Sequence, residues 1–243
     1  MARRRSIPET QLELLLTAPQ LAEADAGELL AIASNEVAGV DEVGRGALFG
    51  PVVAAAVILP EVSLSVLAQA GVTDSKLLTP QARQALAQQI RATAVACCIG
   101  VASVREIDRL NILQASLLAM RRAIARLQPQ PKLCLIDGNQ RVSGLQIPQQ
   151  TIVQGDQRSL QIAAASIVAK VWRDDLITRL AARYPDYDLA NNKGYGTAAH
   201  RRGLEEFGPS LQHRRSFSPC QKNRLSKPDN PHNEPLILTN QSD

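Results

Sequence analysis

The chain has 243 residues, of which 45% are hydrophobic and 21% charged, with a net charge of +4. This is ordinary globular composition, long enough for one compact domain with a real core and extensions. No apolar run reaches the roughly 20 residues of a membrane span, no signal-peptide apolar region follows the basic N-terminus, and Cys97, Cys98, Cys134 and Cys220 form no C-x-x-C pair that would suggest zinc or a disulfide framework.

Residues 1–36 read as an N-terminal appendage, with helical periodicity over Gln11–Leu16 and Leu21–Ala33. The apolar runs Val37–Asp41 and Val52–Leu59 are strand-like. Thr79 followed by Pro80 is a cap with proline at the first helical position, opening a helix to about Thr93. Val95–Ala102 is a third strand, and its cysteines act there as small hydrophobes. Ser103 and Glu106 have capping-box spacing. They open one helix whose apolar positions Ile107, Leu110, Leu113, Leu117, Met120, Ile124 and Leu127 step by three and four, before Pro129 and Pro131 end it. Leu133–Ile136 and Thr151–Val153 are short strands. Ser159–Arg183 is a long helix with a small-residue face at Ala163–Ala165 and Ala169. The expected fold is α/β, a mixed sheet flanked by helices with further helices late in the chain. From Ser218 onward the sequence is polar and rich in Pro, Asn and Ser, so residues 219–243 are expected to be a disordered tail.

Four acids stand out: Asp41, Glu42, Asp137 and Asp156. Each lies at or just beyond the end of an apolar strand, where α/β sheets gather their sites. An ionised carboxylate there is costly unless it is paired or bound to a cation. If these strand ends are neighbours, the acids repel one another and a divalent metal resolves the repulsion. Ligands that are all oxygen favour Mg2+ or Mn2+ over zinc. Taken singly, a strand-end aspartate can instead be a turn or helix cap, and the Asp137–Asn139 turn is good turn chemistry in its own right.

The glycine pattern Gly44-Arg45-Gly46 with Gly50 is not a dinucleotide fingerprint, because a strand-like run follows it where a helix is required. It reads as a turn whose N–H groups face a phosphate, with Arg45 adding charge. Lys76 precedes a helix and Lys170 lies on the helix after Asp156; both can reach a phosphate. Residues 193–197 form a flexible, basic loop in which Tyr195 can stack on a base or sugar. Arg214 and Arg215, beside His213, suit contacts to a nucleic-acid backbone. His200 and His213 look isolated and are not expected to bind metal. Charge supports a polyanionic partner: Asn191–Lys227 holds eight Lys or Arg and two Glu, a net +6, which leaves −2 for the rest.

The ordered segments Ala38–Gly46, Asp74–Lys76, Leu110–Leu113, Leu135–Asn139, Gly155–Asp156, Ala164–Lys170, Lys193–Tyr195 and His213–Phe217 closely resemble the signature of the type 2 ribonucleases H, specifically bacterial ribonuclease HII. The resemblance spans residues 37–218, the expected catalytic domain with its C-terminal helical part. It implies a ribonuclease H-like fold with a five-stranded mixed sheet. It also implies endonucleolytic cleavage of RNA in RNA–DNA hybrids, with incision 5′ of single ribonucleotides embedded in duplex DNA. The metal-site acids it implies are Asp41, Glu42, Asp137 and Asp156, binding two Mn2+ or Mg2+ ions with substrate, so that products carry 5′-phosphate and 3′-hydroxyl ends. Gly44, Arg45 and Gly46 become the readers of the 2′-hydroxyl and Tyr195 the sugar-stacking ring. Where Leu77 stands the family often has a second lysine, leaving Lys76 alone. The expected protein is a cytoplasmic monomer with no membrane partner. The competing classes are a non-catalytic duplex-binding protein, which needs the basic loops but not the acids, and a metal-dependent phosphatase of small substrates, which needs the acids but not Tyr195.

Overall fold

The computed structural model of the chain describes residues 32–72, 75 and 78–221. Almost all of the expected appendage and tail lie outside the described residues, and so does Lys76. The chain divides into two compact units. One takes Met1–Val43, described from residue 32, with Val53–Ala102 and Ser116–Arg173; the other takes Gly44–Val52, Ser103–Ala115 and Asp174–Asp243, described to residue 221.

In chain order the elements begin with β1 (Val37–Val43), β2 (Val52–Ile58), α1 (Glu61–Gln69), α2 (Pro80–Thr93) and β3 (Ala96–Ala102). They continue with α3 (Val104–Leu110), α4 (Ile112–Ala125), β4 (Leu133–Asp137) and β5 (Gln149–Ile152). Last come α5 (Gly155–Arg158), α6 (Leu160–Ala181), α7 (Leu189–Asn192), α8 (Ala198–Phe207) and α9 (Ser218–Gln221).

The first unit is built on a five-stranded sheet of order β3-β2-β1-β4-β5. β1 pairs antiparallel with β2, Asp41 opposite Ala55. On its other side β1 runs parallel to β4, with Val40 opposite Ile136, and β4 runs parallel to β5, with Asp137 opposite Ile152. The expected mixed sheet of five strands is therefore present. On one face Ala55, Val57 and the half-buried Cys97 and Ile99 meet Leu67 of α1, Leu86 and Ile90 of α2, and the alanine stripe of α6. Strand alternation sends Gly100 the other way, where α4 lies so close that an added Cβ would sit 2.0 Å from the Ala119 carbonyl oxygen.

α6 also crosses β1 very closely. A Cβ at Gly39 would lie 2.1 Å from the backbone carbon of Gln161. The small residues Ala163–Ala165 continue that approach into the core.

Several helices start where the chain supplies caps. Thr79 accepts the Ala82 N–H and Pro80 starts α2, and Ser103 and Glu106 make the full capping box. The single helix expected from Ser103 to Leu127 is instead two. Asn111 takes φ 71 and closes α3, and its Oδ1 accepts the Gln114 N–H at 3.1 Å, so the same side chain caps the start of α4. Asn tolerates the left-handed region and caps through its side chain, and these properties override the unbroken apolar period. α1 was not anticipated: it starts behind Pro60 with no side-chain cap, and exposed Val62 and Val66 blur its apolar face.

The second unit holds all three Phe and all three Tyr of the chain. Phe49, Tyr184 and Tyr187 are buried with Leu48, Ile177, Leu189, Leu204 and Cys220, and Phe49 meets Tyr184 edge to face at 5.1 Å.

The Gly39 contact gives a first test. Gly39→Ala forces β1 and α6 apart, since backbone on both sides leaves no side chain free to yield. The expected loss is on the order of 3 kcal/mol, read as a fall in Tm with the circular-dichroism signature retained.

Candidate functional site

The parallel register carries Asp41 and Asp137 one step past the last partnered residues, Val40 and Ile136. They stand side by side at the carboxyl ends of neighbouring strands. Asp41 is buried and accepts the Glu42 N–H through Oδ1 at 2.6 Å. Burial, then the charges of Glu42 and Asp137, push its pKa well above the usual 3.8, against a hydrogen bond from Ser166. Ser166, on α6, is 3.0 Å from the hydroxyl of Ser75, whose carbonyl accepts from the buried Arg83 at 2.8 Å. Lys170 is half-buried one helical turn beyond Ser166.

Asp137 is fixed from β5's far end: its Oδ1 accepts the Gly155 N–H at 2.7 Å. Gly155 leaves little room for a side chain: a Cβ there would lie 2.5 Å from the Ile162 side chain and 3.1 Å from that same carboxylate oxygen. Asp156, the next residue, is buried in the first turn of α5. Glu42, the next residue along β1, is half-buried and close enough for its charge to act on Asp41.

The first unit thus brings Asp41 and Asp137 together, with Glu42 near enough to act on Asp41 and Asp156 beside the glycine that binds Asp137. Among the described residues, no three His, Cys, Asp or Glu side chains are gathered closely enough to hold a metal ion by themselves. The residues do fit a hard cation of the Mg2+ type, which takes one or two carboxylates and completes its shell with water and substrate phosphate. The raised pKa of Asp41 is the mark of a site short of positive charge.

In the second unit, Arg45 and Gly46 are exposed on a turn closed by Ala47 N–H to Gly44 carbonyl at 3.3 Å. Tyr195 is half-buried. The loop around it is not flexible as expected but tied down. Gly194 accepts from the Leu48 N–H at 2.8 Å and donates to Asn192 Oδ1 at 2.8 Å, and Arg201 holds the Gly196 carbonyl at 3.0 Å. Thr197 then caps α8 by accepting the His200 N–H.

Arg214 differs from its expected role. It is fully buried, donating through Nε to the Gly50 carbonyl at 3.0 Å and through Nη1 to the Arg45 carbonyl at 2.8 Å. Its guanidinium also lies over Phe217. A side chain so placed holds the loop's backbone from within and does not face a solvent-borne phosphate. Arg215 is exposed, as a phosphate contact requires.

Three structural residues escaped the sequence reading. Asp108 accepts the Arg215 and Ser216 N–H groups at 3.1 and 2.9 Å and the Ser216 hydroxyl at 2.6 Å. No spacing rule links residues so far apart. His200 and His213, read as isolated, are both buried with their Nε2 atoms 2.9 Å apart. Burial lowers the pKa of each, and for His213, held well below 6.5, the neighbouring His200 adds to the effect.

A family model described as Ribonuclease HII matches residues 38–220. The chain belongs to the ribonuclease HII family. The Ribonuclease HII of Acaryochloris marina (strain MBIC 11017) is 63% identical over 193 residues, covering 79% of this chain and 98% of the relative. That of Trichodesmium erythraeum (strain IMS101) is 67% identical over 184 residues, covering 76% of this chain and 87% of the relative. Among solved structures, the ribonuclease H2 from Pyrococcus horikoshii OT3 superposes with a TM-score of 0.67 at 26% identity, covering 77% of this chain and 96% of that one. The family resemblance carried by the motifs is thereby established, and with it the ribonuclease H-like architecture. Membership makes the chain a hydrolase, a metal-dependent endoribonuclease of a family that acts on RNA–DNA hybrids. Among the described residues no helix is long and apolar enough to cross a membrane.

The Asp41 shift has a sign that can be checked. Above 3.8 the unfolded chain loses its proton first, so the raised folded value costs stability as pH rises, and the cost is complete above the folded pKa. Asp41→Asn removes that cost. The metal-free variant is expected to melt higher than the parent at neutral pH, with the gain shrinking as the pH is lowered toward 3.8.

Proposed function

We propose that the protein cleaves the RNA strand of RNA–DNA hybrids and incises duplex DNA on the 5′ side of a single embedded ribonucleotide. The observation that carries this reading is the pairing of Asp41 with Asp137 at adjacent strand ends, one buried and electrostatically strained, the other held by Gly155. Asp41 and Asp137 anchor the metal centre, and Glu42 and Asp156 complete it. Two Mg2+ or Mn2+ ions, when bound, supply an activated water and stabilise the leaving 3′-oxygen.

The protein's own groups do the rest. Ser166 keeps the Asp41 carboxylate aimed, and the Gly155 N–H keeps one oxygen of Asp137 occupied so that the other is presented. Lys170, Lys76 and Arg215 hold backbone phosphates. The N–H groups of Gly44 and Gly46, with Arg45, read the 2′-hydroxyl that separates RNA from DNA. Tyr195 packs on the sugar of the next residue, where a second 2′-hydroxyl would clash with the ring. The protein works as a monomer in the cytoplasm, on RNA–DNA hybrids and ribonucleotide-containing duplex DNA.

A gel assay on a duplex with one ribonucleotide, with Mn2+, with Mg2+ and with chelator, tests the whole reading. Cleavage that needs the ion and leaves 3′-hydroxyl ends is expected; binding without cleavage would favour a duplex-binding protein. Asp137→Asn keeps the oxygen that accepts from Gly155, so folding survives. Its activity should fall by more than about a hundredfold, beyond the loss of an outer-shell partner. Arg215→Ala should weaken binding to every duplex alike and lower the slope of log affinity against log salt by about 0.9, the share of one phosphate contact.

A further inference from the structure

The buried histidines form one directional chain. The Ser210 N–H donates to His213 Nδ1 at 2.9 Å, and the Ser210 hydroxyl lies 2.8 Å from the same nitrogen. A backbone N–H can only donate, so Nδ1 of His213 carries the lone pair and Nε2 carries the hydrogen. That hydrogen points at Nε2 of His200, 2.9 Å away, which must therefore accept. The hydrogen of His200 is then on Nδ1, which donates to the Tyr195 carbonyl at 3.0 Å.

Every proton in the chain is assigned, and both rings are neutral. The surroundings agree. His213 is flanked by the rings of Phe49 and Tyr187, and His200 by Tyr187, with Asp188 the charge that favours a cation at His200 against its burial.

The same segment grips the neighbouring loop. Arg214 N–H donates to the Leu48 carbonyl at 2.9 Å, its guanidinium holds Gly50 and Arg45, and bridges join Ala47 to Tyr195 and Phe49 to His213. Residues 210–214 thus hold the backbone at Arg45 directly and the backbone at Tyr195 through two imidazoles.

We propose that His200 and His213 are positioning residues for Tyr195: the Ser210–His213–His200 chain sets where that ring stands, and with it the preference for a lone ribonucleotide over continuous RNA. This rests on the reading of Tyr195 as the sugar-packing group. Neither histidine touches the substrate, and hydrolysis itself does not depend on them.

The test uses two amide replacements that keep different halves of the chain. The amide of His200→Asn falls near Nδ1 and can still donate to Tyr195. That of His200→Gln falls near Nε2, accepts from His213 and releases Tyr195. The readout is the ratio of kcat/KM on a duplex with one embedded ribonucleotide to kcat/KM on a continuous RNA–DNA hybrid. His200→Gln should lower this ratio about fivefold, the factor one net hydrogen bond commands, while hybrid cleavage is unchanged; His200→Asn should keep the ratio.

A folded His200→Gln protein with the parental ratio overturns the proposal, as does equal loss on both substrates. Tyr195→Ala in the same assay separates the two layers. If it leaves the ratio unchanged, the reading of Tyr195 has failed; if it lowers the ratio and His200→Gln does not, only the positioning role has failed. His213→Asn, which keeps the acceptor for Ser210 and removes the donor to His200, is a second break with the same expected effect. If neither broken variant folds, the pair is a stability element only and the proposal falls. Long-range 1H–15N spectra of the parent protein should show two neutral rings of opposite tautomer, Nδ1–H for His200 and Nε2–H for His213; a shared tautomer or a charged ring at neutral pH overturns it.

Discussion

Parallel pairing of β1 with β4 fixes two carboxylates at a separation they would not choose. Backbone hydrogen bonds along Val37–Val40 and Leu133–Ile136 set the register, and the side chains at the next step have to follow it. Asp41 is buried under α6 with Glu42 and Asp137 as like-charged neighbours. α6 can come that near only because β1 presents Gly39 and the helix presents alanines. The tight packing and the electrostatic strain thus have one geometric cause. A site kept short of positive charge is destabilising by itself and disposed toward cations, the usual exchange of stability for function.

The second unit is organised differently. Its aromatic core is small, and much of its order comes from polar groups that bond across its segments. Arg214 grips two carbonyls, Asp108 accepts three donors from residues 215–216, and the histidines pass a hydrogen bond from Ser210 to Tyr195. Such networks are costly when incomplete and specific when complete. They suit loops that have to hold one conformation without a hydrophobic face to press them into it.

The strands, the caps and the acids were legible because each is a local pattern: apolar runs ending in Asp, Thr79 before Pro80, Ser103 three residues before Glu106. The break at Asn111 was not, since an unbroken apolar period says nothing about a residue that can leave the helix and cap the next one. The burial of Arg214 was hidden for another reason. A basic cluster beside a polar tail looks like a solvated surface, and only the tertiary fold shows two carbonyls waiting inside. Asp108 and the histidine pair depend on contacts between segments that sequence spacing does not connect.

The division of aromatic residues has a practical side. Every Phe and Tyr belongs to the second unit, and the chain's one Trp, Trp172, belongs to the first. Indole emission excited at the red edge, where phenol no longer absorbs, reports on the acid-bearing unit alone, while the Phe and Tyr ring-proton resonances report on the other. A single unlabelled sample therefore carries two optical and magnetic windows, one on each half of the chain.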